Sequence, residues 1–196
     1  MKIAIVKYNA GNVESVKNAL NRLNIEPILT DDAEELNAAD KVIFPGVGEA
    51  RAAMDYLRER NLDSIIKNLK QPVLGICLGM QLLCDFSDER NTKCLGVLPY
   101  RVRKFDSKTL KIPQMGWNNI FDLKSDLFKN VPANAYVYFV HSFYVESGAE
   151  TIATCDYGIK FSAAVQHENF YAVQFHTEKS SAVGEKILEN FLGLTT

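Results

Sequence analysis

The sequence predicts a single α/β domain over residues 1–196, with a mostly parallel central sheet, helices on both faces and an antiparallel C-terminal extension. Three observations predict it. Short apolar runs alternate with amphipathic helical patterns through the first half, a strand-rich stretch follows from about residue 95 to 176, and one more amphipathic helix closes the chain. Strands separated by helices imply parallel pairing, because a parallel crossover needs an intervening segment and is nearly always right-handed.

The first strand is the apolar run Ile3 to Val6, and Val13, Val16, Leu20 and Leu23 follow at helical spacing. Ile25 to Leu29 completes a β-α-β unit. Lys41 to Phe44 is the next buried strand, followed by the turn Pro45-Gly46-Val47-Gly48 and a helix whose Ala50, Ala53, Met54 and Leu57 recur at i, i+3, i+4 and i+7. Pro72 to Ile76 is a further buried strand. Ala135 to Val140 and Tyr171 to Phe175 are strands of the antiparallel extension, placed in the same sheet. Val183, Ile187, Leu188 and Phe191 mark the closing helix, with Ser180 and Ser181 as its caps. Ligands are expected at the carboxyl ends of the parallel strands.

Composition narrows the function classes. At 47% hydrophobic residues the chain can build a core without disulfides or metals, so one domain is expected. Its 22 basic and 24 acidic residues are mixed along the chain and leave a net charge of -2, which provides no field for nucleic acid or a membrane surface. Met1 to Val6 lacks the pattern of a secretory leader, and no stretch has transmembrane length. The four cysteines, Cys77, Cys84, Cys94 and Cys155, form no Cys-x-x-Cys pair and no disulfide scaffold, which points to a reducing cytoplasm. No metal site or cofactor is expected.

The strongest chemical signal is Gly75-Ile76-Cys77-Leu78-Gly79-Met80-Gln81, where a cysteine sits between two glycines as a strand turns into a helix. This is the pattern of a nucleophile elbow with sulfur in place of serine oxygen. A helix N-terminus favours thiolate over thiol. The competing reading is a buried structural cysteine, which describes most free cysteines.

A second site decides between them. In Gln174-Phe175-His176-Thr177-Glu178, an apolar strand ends in a histidine with a carboxylate two residues later, and strand period two points both the same way. A cysteine nucleophile needs a base to form thiolate and an acid for the leaving amine, and an imidazole held by a carboxylate is both. His167, in His167-Glu168-Asn169, reads as a solvated hairpin turn. His141 follows Tyr138-Phe139-Val140 with no acidic residue before Glu146, which favours a binding or structural role over that of base. Backbone amides of the Pro45 to Gly48 turn suit an oxyanion hole, although a plain tight loop has the same composition.

With these motifs in this order, the sequence resembles the class I (triad) glutamine amidotransferases over nearly its full length. Within that family it is similar to the glutaminase subunits of imidazole glycerol phosphate synthases. The segments that carry this likeness are Asn9-Ala10-Gly11-Asn12, Phe44 to Gly48, Gly75 to Gln81, Pro113-Gln114-Met115-Gly116-Trp117-Asn118 and Tyr138-Phe139-Val140-His141-Ser142. The resemblance implies a fold of that family and hydrolysis of glutamine to glutamate and ammonia through a cysteinyl thioester. It also implies passage of the ammonia to a separate (β/α)8 barrel synthase subunit, in a heterodimer of histidine biosynthesis. The partner would convert its ribulosyl substrate to imidazole glycerol phosphate and aminoimidazole carboxamide ribotide.

Carried to matching positions, the resemblance implies Cys77 as nucleophile, His176 as proton shuttle and Glu178 as its orienting carboxylate. The amides of Leu78 and of Val47 or Gly48 would hold the oxyanion. Gly48, Gln81, Glu89, Ser142 and Phe143 would bind the substrate, and Asn12, Trp117 and Lys179 would meet the synthase. Taken without the resemblance, Glu89 is a solvated turn residue, Trp117 a core aromatic and Asn12 a helix cap. Thr177 stands where many members have proline, and Phe143 where tyrosine is frequent.

Three other readings share parts of this pattern. Other class I glutaminase subunits, serving anthranilate, aminodeoxychorismate or pyridoxal phosphate synthesis, have the same triad. A stand-alone cysteine hydrolase needs no glutamine pocket, and a catalytically silent binding module needs no complete triad.

Overall fold

In a computed structural model that describes residues 1–8, 11–106 and 108–195, the first half of the chain forms the expected β-α alternation. Asn9 and Ala10, from the Asn9 to Asn12 segment, lie outside the described residues. Strand β1 (Ile3–Val6) leads to helix α1 (Val13–Arg22), then to β2 (Ile28–Thr30), α2 (Ala33–Asn37) and β3 (Lys41–Phe44). Helices α3 (Ala50–Glu59) and α4 (Leu62–Asn68) precede β4 (Val73–Ile76), and α5 (Leu78–Leu83) follows it directly. The apolar spacing explains α3: its buried residues are Ala50, Ala53, Met54 and Leu57, one stripe at helical period. Ile25 to Leu29 contributes only its end to a strand, because Pro27 cannot donate to a ladder and β2 begins after it.

The second half contains β5 (Cys84–Ser87), β6 (Thr92–Lys93), β7 (Leu98–Lys104), β8 (Gln114–Asn119), β9 (Tyr136–His141), β10 (Phe143–Val145), β11 (Thr151–Asp156), β12 (Lys160–His167) and β13 (Phe170–Val173), with α6 (Ser181–Gly193) last. The main sheet runs β2-β1-β3-β4-β13-β12-β10-β7-β5-β6, with β11 paired to β12. Strands β2 to β4 pair in parallel, and β13 joins them parallel to β4 and antiparallel to β12. One expectation is corrected: β9 is not in this sheet, but pairs with β8 in a separate antiparallel ribbon.

Strands β1, β3 and β4 are buried at every position because both faces are covered. Ala4, Val6, Val42 and Phe44 pack on the side of α2, α3, α4 and α5, whereas Ile3, Ile5, Ile43 and Leu74 pack with α1, α6 and the inner face of the ribbon. Phe139, Phe161, Phe175 and Phe191 are fully buried in the second layer. Burying each such side chain contributes about 1.5–3 kcal/mol. The same layer therefore anchors the ribbon and α6 firmly against the sheet.

Ser180 and Ser181 do not cap α6 as expected, since no side-chain cap hydrogen bond forms at this helix end. The Ser180 hydroxyl instead donates to the His176 carbonyl at 2.6 Å and accepts from the Tyr138 amide at 2.9 Å. A competing tertiary partner took the side chain.

Candidate active site

Insertion of β13 beside β4 brings two distant segments to one point. Val173 pairs with Ile76, and the Cys77 amide donates to the Val173 carbonyl at 2.8 Å, so residues just past each strand share the carboxyl edge of the sheet. Cys77 occupies the bend between β4 and α5 with φ 54° and ψ −107°. A non-glycine residue held there stores about 1–3 kcal/mol of strain, which the surrounding packing must offset. Gly79 allows it: a Cβ at that position would collide with the Phe44 carbonyl oxygen, so any side chain would push α5 off β3. The flanking glycine thus sets the close approach of helix and strand.

His176 and Glu178 come together by a different route from the one expected. The strand ends at Val173, and Thr177–Lys179 is a 3₁₀ turn, so strand periodicity does not align the two side chains. The turn brings Glu178 Oε1 to 2.8 Å from His176 Nδ1, with both side chains fully buried. His176 Nε2 has no hydrogen-bond partner and is the ring nitrogen left for other chemistry. Burial depresses the imidazole, but the Cys77 sulfur and the Glu178 carboxylate outweigh it and raise its pKa to about 10. Burial likewise pushes Glu178 up, and its hydrogen bond and charge interaction with His176 prevail and lower it. The pair is therefore poised as imidazolium and carboxylate.

Asn12 completes this group. Expected on a partner face or as a helix cap, it is buried, makes no side-chain cap bond to α1, and donates from Nδ2 to Glu178 Oε1 at 3.0 Å. Its side chain is thus a support for the carboxylate. Trp117 and Lys179 are exposed, Trp117 on β8 and not in the core.

A cavity of about 420 Å³ opens onto the cysteine, ample for one amino acid. Its lining comes from two stretches of the chain: Val47, Gly48, Cys77, Leu78, Gln81 and Glu89 from the first half, and Pro113, Val140, His141, Ser142 and Phe143 from the second. The expected oxyanion and substrate residues thus share one cavity. Within it, the Leu78 amide donates to the Gly46 carbonyl at 3.2 Å, so that donor is engaged by the loop in this conformation. Gly48 has φ +105°. The Phe143 carbonyl accepts from Gln81 Nε2 at 3.0 Å and bonds His141 Nδ1 at 2.7 Å, which fills both of its lone pairs.

Glu89 is half-buried and not a solvated turn residue: its Oε2 accepts from the Ala50 amide at 2.7 Å. Burial raises its carboxyl pKa against the lowering effect of that amide. His141 is a buried neutral ring. Desolvation lowers it to about 4, and with Nδ1–H directed to Phe143, Nε2 lies 3.0 Å from the Gln114 side-chain amide and accepts from it when the NH2 group faces the ring. His167 is the last residue of β12, paired with Phe170, 4.0 Å from Glu150 and away from the cavity.

Two residues without an assigned role touch the site. Tyr8 donates its hydroxyl to the Pro45 carbonyl, and its phenol is raised well above its ordinary pKa by burial and then by the nearby Cys77. Gln174 reaches both Cys77 and Gln81. A polar residue two positions before His176 in an apolar run was a readable signal; the contact of Tyr8 with the loop had none. Among the described residues, no cluster of three or more His, Cys, Asp or Glu side chains is placed to hold a metal ion.

Comparison with known proteins sets this geometry in context. A family model described as "Glutamine amidotransferase class-I" matches residues 4–194. A protein of Bacteroides fragilis named imidazole glycerol phosphate synthase subunit HisH is 56% identical over 196 residues, covering 99% of this chain and 100% of the relative. A protein of the same name from Pasteurella multocida is 44% identical over 97% of this chain and 96% of its own length. Among solved structures, one described as a glutamine amidotransferase superposes with a TM-score of 0.75 at 19% identity, with 97% of each chain covered. The structure of PurLQS from Thermotoga maritima superposes at 0.71 and 17% identity, covering 98% of this chain and 97% of that one.

Proposed function

The chain belongs to the class I glutamine amidotransferase family, and from that premise we propose that it is the glutamine-hydrolysing subunit of an imidazole glycerol phosphate synthase. The observation that carries the reading is the buried His176–Glu178 pair behind Cys77, which itself lines a cavity sized for an amino acid.

In this mechanism the Cys77 thiolate attacks the side-chain carboxamide carbon of glutamine, and the C–O π electrons move to oxygen. Collapse of that tetrahedral adduct expels the amine, which takes a proton from His176 and leaves as ammonia, with a glutamyl thioester on Cys77. Water then gives a proton back to His176 as it attacks the thioester carbonyl. The C–S bond breaks, glutamate departs and the thiolate returns. Glu178 holds the imidazole by Nδ1 throughout, and Asn12 holds Glu178. Gly48, Gln81, Glu89, Ser142 and Phe143 form the glutamine pocket.

The oxyanion is assigned to the amides of Leu78 and of Val47 or Gly48. Since Leu78 now donates to Gly46, a shift of the Pro45 to Gly48 loop must accompany catalysis. A missing oxyanion donor costs roughly 10²- to 10³-fold in rate. The isolated chain is therefore expected to be nearly idle, and a partner that selects the competent loop would switch it on.

That partner is a separate barrel synthase that receives the ammonia, in a heterodimer within the cytoplasm. Among the described residues no helix is long and apolar enough to cross a membrane. An exposed apolar face supports a docking surface on the ribbon: Met115, Trp117 and Tyr136 are 59%, 52% and 60% exposed, while Val137 and Phe139 on its other face are buried. Lys179 is exposed in the turn beside His176. The ribbon also reaches the chemistry, for the His176 amide donates to the Tyr138 carbonyl at 2.9 Å.

Glutamate release measured with the chain alone, with the barrel synthase, and with synthase plus its ribulosyl substrate tests both parts. Strong stimulation in the last condition is expected. Equal turnover in all three would refute the switch, and stimulation only by another acceptor enzyme would move the chain to a different amidotransferase.

A further inference from the structure

Gln174 follows β13 and is fully buried between the nucleophile and the substrate pocket. Its Oε1 lies 3.0 Å from Gln81 Nε2, and its Nε2 lies 3.7 Å from Cys77 Sγ. The orientation of both amides is fixed by one backbone group. The Phe143 carbonyl can only accept, so Gln81 must turn its NH2 toward it, at 3.0 Å. The second hydrogen of that NH2 faces Gln174, which must therefore present oxygen to Gln81. The Gln174 NH2 is left facing the sulfur.

We propose that Gln174 is a positioning residue that couples the nucleophile to the glutamine pocket, donating an N–H to the Cys77 sulfur while its carbonyl pins Gln81. An N–H donor favours thiolate over thiol, because the charged acceptor makes the stronger bond. The second contact leaves Gln81 with both hydrogens engaged, so its carbonyl oxygen is held in one direction at the cavity wall. One side chain thus sets the state of the nucleophile and the shape of the pocket. The inference rests on the reading of Cys77 as nucleophile.

The test uses Gln174→Met and Gln174→Glu. Alkylation of Cys77 by iodoacetamide is followed against pH with the adduct mapped to its peptide, and glutamine turnover is measured with the synthase present. The titratable groups around the sulfur are His176, backed by Glu178, and Tyr8 on another element; neither variant alters them. Gln174→Met removes both contacts, so the alkylation profile should move up by about one pH unit, roughly tenfold in rate at fixed pH, and the KM for glutamine should rise. Gln174→Glu keeps an acceptor for Gln81 and removes the donor to sulfur, so the profile should move at least as far with KM near wild type.

Should both variants fold poorly, the unaltered chain supplies the answer: the Gln174 side-chain amide resonances should move with the ionisation of Cys77, at the midpoint seen in alkylation. Unmoved profiles in folded variants, or resonances that stay fixed through the titration, would overturn the role of Gln174. Turnover that survives Cys77→Ala would instead overturn the nucleophile reading. An inactive Cys77→Ala alongside unmoved Gln174 profiles separates the two failures.

Discussion

His176 and Glu178 meet at 2.8 Å, imidazole to carboxylate, although Thr177 alone separates them, because a 3₁₀ turn and not a strand carries the chain between them. An extended backbone would point both side chains outward in parallel; the turn folds the carboxylate back onto Nδ1. The pairing then has a sign that can be measured. A folded-state pKa raised to about 10 from 6.5 means that folding favours the proton. The associated stability is present in full below about pH 6.5 and is lost as pH rises through about 10.

Cys77→Ala removes the sulfur, one cause of the raised imidazole. Glutamine hydrolysis should fall to background with the fold intact, and the His176 titration midpoint should drop, read from its ring proton resonance. A midpoint unchanged from wild type would show that Cys77 does not act on His176. Cys77→Ser should be equally inactive, since hydroxyl cannot replace the thioester-forming sulfur.

Asn12→Ala and Glu178→Gln should both lower kcat while leaving the KM for glutamine nearly unchanged, because neither residue lines the substrate cavity. Loss of the carboxylate should cost roughly 10²-fold, in the range of general acid–base assistance. Loss of Asn12 should cost less, since Glu178 keeps His176. Steady-state kinetics with the synthase partner checks the order.

The buried cysteines 84, 94 and 155 lie outside the cavity that Cys77 lines. Burial pushes the Cys94 and Cys155 thiols up to about 12, and also raises Cys84 well above its ordinary value. Replacing all three by Ala or Ser should therefore preserve turnover per folded molecule, at a stability loss of about 2 kcal/mol or more. Activity lost in a well-folded triple variant would count against a single nucleophile.

His141 provides an acid-side counterpart. Its folded pKa is depressed to about 4 from 6.5, so its contribution to stability is present above about pH 6.5 and lost as pH falls toward 4. Denaturant unfolding at pH 7 and pH 4.5 should show wild type losing on the order of 2–3 kcal/mol from this group, and His141→Gln losing less. Equal losses would mean that the buried ring is not the source.

Gly184 lies where α6 meets the turn of the triad. A Cβ there would collide with the Thr177 carbonyl oxygen, so Gly184→Ala must displace either the helix or the turn that carries Glu178. A destabilisation of about 1–3 kcal/mol and a drop in Tm of roughly 2–10 °C are expected. Glutaminase activity of the remaining folded protein should fall as well, whereas Gly193→Ala, with open space around it, should be silent in both assays.

The parts legible in the sequence were those set by local pattern. Apolar runs marked β1, β3 and β4 because strands buried on both faces need no polar residue, and glycines flanking Cys77 marked the elbow because helix and strand nearly touch there. What was hidden depended on long-range partners. Ser180 reads as a cap but finds Tyr138 and His176, Asn12 reads as a cap or a surface residue but finds Glu178, and the β8–β9 ribbon leaves the sheet although its alternation is that of any strand. A hydrogen-bond partner 166 positions away leaves no periodic trace.

The place of β13 between β4 and β12 also orders events during synthesis of the chain. Until Phe170 to Val173 emerge, β4 has paired with β3 on one side only, and its free edge lacks its second neighbour. At ribosomal rates of about 5–20 residues per second, roughly a hundred residues separate the two strands by some 5–20 seconds. Throughout that interval the elbow cysteine has no His176, no Glu178 and no Gln174 beside it. The nascent glutaminase is thus chemically silent by topology, and its exposed half-sheet is the stretch a chaperone would be expected to cover.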